Sequence, residues 1–172
     1  MIFGDISKFS DTSDYLPILN GILFTEVSII YLTLLGIFNT KVLIAWYKKY
    51  GIFAIMADVL IVLIGAIITR FFYPVLFSKF HIFLFILLGV IIQIIHDMLF
   101  YYFFMSVPRG VNKMLDTFKD YAKEVKGKAI LGNSAMIIFS FAFGSMMKLY
   151  SLNMNIISLI VNLYYFPYTI CM

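Results

Sequence analysis

Residues 80–105, FHIFLFILLGVIIQIIHDMLFYYFFM, decide what surrounds this chain. A helix over this stretch rises about 1.5 Å per residue and so exceeds the roughly 30 Å of hydrocarbon in a bilayer. It is apolar on every side, as in Ile91–Ile95, where a barrel strand would alternate over about ten residues. Three further stretches obey the same reading: 15–38, 51–73 and 130–150 each hold about twenty mostly apolar positions. A fifth, 155–170, is shorter and ends in Tyr164-Tyr165-Phe166-Pro167-Tyr168; it can span, re-enter or lie in the interface.

Composition agrees. The chain has 172 residues, of which 63% are hydrophobic and 13% charged, whereas a soluble domain is near half apolar and about a quarter charged. Water cannot cover that much apolar surface, so lipid must. The expected fold is all-α: an integral membrane bundle of four helices, or five if 155–170 crosses, plus one interfacial amphipathic helix. Residues 1–14 read as a polar leader and 15–172 as a single transmembrane domain. Asp5, Asp11 and Asp14 against Lys8 give the leader the wrong charge for a signal-peptide n-region. Cys171 is the one cysteine, so no intrachain disulfide forms and dithiol chemistry is excluded.

The first span opens at Tyr15-Leu16-Pro17, where proline is tolerated in the first turn, and ends near Phe38-Asn39. A loop over 39–50 carries Lys41, Lys48 and Lys49, with Trp46, Tyr47 and Tyr50 as expected interface anchors. Arg70 can snorkel to the headgroups, and Pro74 is expected to stop the second span before a turn over 74–79 that holds Lys79. Pro108 follows the third span.

Residues 111–126 differ in kind. Val111, Met114, Leu115, Phe118, Tyr121, Ala122 and Val125 recur every three or four positions and form one apolar stripe. Lys113, Asp116, Lys119, Asp120, Lys123, Glu124 and Lys126 occupy the other face, with Asn112 as the expected N-cap and Gly127 as the expected C-cap. Such a helix lies along a membrane surface or packs against a soluble partner. Arg109, Lys113, Lys119, Lys123, Lys126 and Lys128 make it basic, and they fall on the same side as Lys41, Lys48 and Lys49 if the first three spans alternate. The positive-inside rule then puts the N-terminus outside and segment 106–128 in the cytoplasm, facing anionic lipid of the inner leaflet.

Ionisable groups within spans are costly and face a bundle interior or a cavity. The intramembrane polar cluster comprises Glu26, Asp58, Gln93, His96 and Asp97. Asp58 and the His96-Asp97 pair each lie about eight residues from the inner end of their spans, roughly 12 Å deep, and so at one level. Two readings follow. The first is a proton or cation site built from Asp58, His96 and Asp97, since imidazole and carboxylates relay protons. The second is that these groups bond one another and lock the second and third spans together, or bury as neutral acids.

Other chemistry has little to stand on. Adjacent His96 and Asp97 point about 100° apart on a helix, not at the three- or four-residue spacing of a metal-ligand pair, and His81 lies at the other end of the span. No metal and no cofactor is expected. Gly132-Asn133-Ser134 opens a helix and lacks the strand-turn-helix context of a nucleophile elbow. Phosphate-loop, dinucleotide, zinc-protease and nucleic-acid motifs are missing, and lipid accounts for the basic segment without nucleic acid. Gly65-Ala66, Gly89 and Ala142-Phe143-Gly144-Ser145 are candidates for close helix contacts.

His96-Asp97, Phe100-Tyr101, Pro108-x-Gly110-x-Asn112, Asp116-x-Phe118-Lys119-x-Tyr121-Ala122-x-Glu124 and Gly132-Asn133-Ser134-x-Met136 together resemble a pattern in small multi-pass membrane proteins of nucleocytoplasmic large DNA viruses. The isoleucine-rich, alanine-poor composition suits an AT-rich genome of that kind. The resemblance covers 96–136 and departs at Asn133, where the pattern carries an acidic residue. It implies a viral internal or envelope membrane, with a virion component among the roles, and no catalytic activity.

The expected function is structural and non-enzymatic: organising a membrane, or docking lipid, a protein partner or further copies of the chain through the 111–126 helix. The alternative is a small oligomeric transporter or channel, proton- or cation-coupled through Asp58, His96 and Asp97. An intramembrane enzyme has least support, because the hydrophilic loops are too short to build a catalytic domain.

Overall fold

The computed structural model describes residues 2–37 and 41–170. Among them the chain forms a 3-10 turn, Thr12–Asp14, and seven α-helices: α1 (Tyr15–Leu34), α2 (Lys41–Tyr50), α3 (Ile52–Leu76), α4 (Ile82–Ser106), α5 (Lys113–Val125), α6 (Lys128–Met147) and α7 (Leu152–Ile170). No strand occurs among the described residues. Four stretches are long and apolar enough to cross a membrane: Thr12–Leu34, Ile52–Leu76, Ile82–Ser106 and Lys128–Met147. The protein is an all-α bundle of membrane-spanning type. The expected end of the first span at Phe38-Asn39, and Cys171, lie outside the described residues.

α7 is less apolar than those four, with Asn153, Asn155 and Asn162 among its residues. It nonetheless runs the height of the bundle beside α1. Near its start the buried Asn155 accepts from Asn20 Nδ2, 2.9 Å to its carbonyl and 3.0 Å to its Oδ1. At its end Ile170 lies against Gly51, between α2 and α3.

α1 is the hub, packed on α6, α7 and α3. Its tightest contact is with α6. A Cβ on Gly21 would collide with the Gly144 nitrogen and the Ser140 carbonyl, and one on Gly144 would stand 3.0 Å from Ile18 Cα. Small residues let the two backbones touch, which gains dispersion contact that lipid tails cannot match. Gly89 of α4 likewise receives the Phe141 ring of α6, whereas Gly65 faces open space. Phe141 continues into an aromatic stack with Phe85 (centroids 5.2 Å apart), and Phe85 into Tyr73 (5.3 Å).

Several local expectations are corrected. The expected loop 39–50 is largely helix α2, and Trp46 and Tyr47 are buried in it rather than anchored at an interface. α3 runs past Pro74 to Leu76: proline removes one hydrogen bond, near the helix end where few remain to lose. Asn112 caps α5 as expected, accepting from Met114 N (2.9 Å) and Leu115 N (3.1 Å). Gly127 is not the C-cap. The chain leaves α5 at Lys126, with φ 51°, and Gly127 takes an ordinary helical conformation ahead of α6. A side chain at positive φ is strained, so Lys126→Gly should stabilise the fold by about 0.5–1 kcal/mol, read as a higher midpoint when SDS is titrated into mixed micelles.

The polar leader folds onto the bundle. Ile6 is fully buried, Gly4 N donates to the Ser145 carbonyl (2.8 Å) and Ser145 Oγ donates to the Gly4 carbonyl (2.6 Å). Arg70 therefore does not snorkel. It is fully buried, with Nη2 donating to the Lys8 carbonyl, the Asp11 carbonyl (2.6 Å) and Asp14 Oδ2 (3.0 Å). Its guanidinium also lies 4.3 Å from the Tyr15 ring centroid. Lys148, at the end of α6, pairs with Asp14 and with Asp11 (3.3 Å).

Candidate functional site

At the opposite end of the bundle, α2 lies over two intramembrane acids. Glu26, on α1, is fully buried; Asp58, on α3, is partly so. Their carboxyl groups are within hydrogen-bonding reach of each other. The Tyr47 hydroxyl donates to Glu26 Oε1 (3.1 Å), and Trp46 Nε1–H donates to Asp58 Oδ2 (3.0 Å). Glu26 Oε2 has no donor among the described residues. Burial pushes the Tyr47 phenol well above its usual range, and the Glu26 and Asp58 carboxyls push it the same way, so it remains a donor.

α2 is positioned by α5. Both oxygens of the Glu124 carboxylate cap the start of α2, accepting from Lys41 N (2.9 Å) and Val42 N (3.0 Å) where the helix dipole favours negative charge. The Tyr50 hydroxyl donates to the Lys113 carbonyl (2.7 Å). Phe118 of the α5 stripe meets Trp46 (centroids 4.8 Å apart) and, on α4, Phe100 (5.3 Å) and Phe104 (6.1 Å). The two amphipathic helices thus form one platform across the bundle end.

The third acid stands apart. Asp97, on α4, accepts from Gln93 Nε2 (2.5 Å) and from Asn133 Nδ2 of α6 (2.9 Å), with His96 Nδ1 3.5 Å away. The His96 ring stacks on Phe100 at 5.7 Å. Among the described residues no hydrogen bond or ion pair joins Asp58 to His96 or Asp97. The expected cluster is therefore two groups. One ties α1 and α3 to α2; the other ties α4 to α6. Neither locks the second and third spans to each other. Tyr121 of α5 is in electrostatic reach of both groups. Its hydroxyl is raised by burial first and then by the Asp58, Asp97 and Glu124 carboxylates.

The platform's outer face is basic. Lys41, Lys48, Lys49, Lys113, Lys123, Lys126 and Lys128 are exposed and have no ion-pair partner among the described residues. The acids there are engaged internally, Glu124 at α2 and Asp120 with Arg109 (2.6 Å). That pair holds the Asp120 carboxyl below its usual range and the Arg109 guanidinium above its own. Lys119 is turned inward, only 5% exposed, with Nζ donating to the Val107 carbonyl and 3.8 Å from Asp116. It holds the 107–112 turn and presents nothing outward.

Sequence reasoning missed Tyr47, Trp46, Asn133 and Glu124. Trp46 and Tyr47 carried a signal, since each is an aromatic ring with a hydrogen-bond donor and so can serve a buried acid as well as an interface. Two shallow apolar grooves mark the surface, one lined by Ile52, Leu163, Phe166, Pro167 and Ile170, the other by Tyr15, Leu16, Leu19, Leu63 and Ile67. Neither reaches the acids. Comparison with known proteins finds no matching family model, no matching curated sequence and no matching solved structure.

Proposed function

We propose that this chain is a non-enzymatic scaffold of a membrane, a helical anchor that presents the basic α2–α5 platform to anionic lipid. The observation that carries this reading is the direction of the hydrogen bonds: Trp46 and Tyr47 bond inward to Asp58 and Glu26, while the platform's unpaired lysines face outward. The buried acids then have a structural task, fastening the platform to the bundle. α7 would serve as the fifth span; with the N-terminus outside by the positive-inside rule, the platform and the end of α7 then share the cytoplasmic side. The resemblance of 96–136 supports a viral internal or envelope membrane as the setting.

Vesicles holding phosphatidylserine test it. Lys48→Gln, Lys49→Gln, Lys113→Gln and Lys123→Gln should each weaken retention of that lipid about fivefold, the effect of losing one cation worth about 1 kcal/mol near an anionic surface. The same vesicles under a proton gradient should leak no faster than protein-free ones. Flux that disappears in Asp58→Asn would replace the scaffold with the coupled-transport reading.

A further inference from the structure

We propose that Glu26 and Asp58 form a site for one exchangeable proton, closed by α2, and that loss of this proton unseats α2 and its platform. Two carboxyl groups in hydrogen-bonding reach attract each other only when a proton lies between them. The remaining donors at the site are neutral, the Trp46 N–H and the Tyr47 O–H. No Lys, Arg or His forms an ion pair with either acid among the described residues. The other titratable groups facing the pair are acids or phenols: Tyr47 of α2, Tyr121 of α5 and, beyond it, Glu124 of α5 and Asp97 of α4. None of them supplies positive charge. Glu26 Oε2, fully buried and without a donor, is the atom with room for the proton.

The balance of the step is simple. In the closed state the pair carries one proton and one negative charge. At higher pH the proton passes to water or a buffer base, leaving two carboxylates in contact without a cation. Each of them then needs water. Trp46 and Tyr47 of α2 are the donors bonded to the pair, so the added charge is hydrated as α2 lifts away from the fully buried Glu26. Alkalinisation therefore loosens the platform and acidification seats it.

Trp46 is the chain's single tryptophan, so its emission reports this lid directly. In lipid nanodiscs the full-length protein should show, at neutral pH, the infrared carbonyl band of a protonated carboxyl group, and that band should shift in heavy water. Raising the pH should remove the band and move Trp46 emission to the red with the same midpoint. Glu26→Gln removes the like charge, so the Asp58 midpoint should fall by about one pH unit or more. If Glu26→Gln does not fold, Asp58→Asn should abolish the pH response of Trp46, because its acceptor no longer titrates. A neutral-pH spectrum without the band, a band indifferent to heavy water, or a sodium-dependent emission change in its place would each overturn the proposal. Asp58-dependent flux would sink the scaffold reading and leave this site standing.

Discussion

Arg70→Met is expected to destabilise the folded protein by about 3–5 kcal/mol, the cost of leaving a buried charge without its partner. Arg70 and Asp14 are both fully buried, and one guanidinium nitrogen serves two backbone carbonyls and a carboxylate at once. Removal takes one hydrogen bond from each of the Lys8 and Asp11 carbonyls, which keep only the backbone N–H groups of Asp11 and Asp14, and leaves the Asp14 carboxylate to Lys148 alone. Adding Asp14→Leu should recover part of the loss, so that the double variant costs less than the two single variants together. SDS titration in mixed micelles measures all three. Simple additivity would show that the pair is not energetically coupled.

The same node carries a pH dependence outside the spans. The Ser13 hydroxyl and backbone N–H, with Lys148, hold the Asp11 carboxyl below its usual range. Its contribution is therefore present above the ordinary aspartate range and is lost as pH falls through the lowered value. Burial opposes the charge on Lys148, but Asp14 and Asp11 outweigh it and raise the ammonium above its usual range. That contribution holds below the ordinary lysine range and is lost as pH rises through the raised value. The amino-terminal end should be firmest near neutrality and loosen towards both extremes.

Gly21→Ala should be the most damaging single-methyl addition in the molecule, costing about 3 kcal/mol. The new Cβ meets the backbone of α6 at Ser140 and Gly144, and backbone cannot rotate away as a side chain would. Gly144→Ala should cost less, because its Cβ meets Ile18 Cα at 3.0 Å and a shift of a few tenths of an ångström relieves it. Gly65→Ala meets nothing within 4 Å and should be neutral or slightly stabilising, since alanine is the better helix former. A Gly21→Ala variant as stable as Gly65→Ala would mean that the α1–α6 contact sets no cost and helix propensity alone decides.

These glycines show where sequence reading stops. Gly65, Gly89 and Gly144 are equally visible as small residues within apolar runs, yet one faces open space, one an aromatic ring and one a neighbouring backbone. Gly21 lies in the first span unremarked. On α4 a sign was present: Gly89, Gln93 and Asp97 share one helical face, and that face meets α6 at Phe141 and Asn133. For the acids, depth along each helix was legible and placed Asp58 and Asp97 at one level. Rotation about the helix axis was not, and rotation sends Asp58 to Trp46 and Asp97 to Asn133.

By itself the sequence determined the solvent and the elements, an all-α chain with four helices fit for a bilayer and one amphipathic helix capped by Asn112. These follow from hydropathy and spacing over neighbouring residues, where the relevant energies are local. Only the tertiary structure decided which buried polar groups meet: Arg70 with the leader it was expected to ignore, Glu26 and Asp58 with a helix read as a loop, and Lys119 turned inward. Such pairings join residues far apart in the chain, and a polar group in an apolar interior takes whichever partner packing brings within about 3 Å.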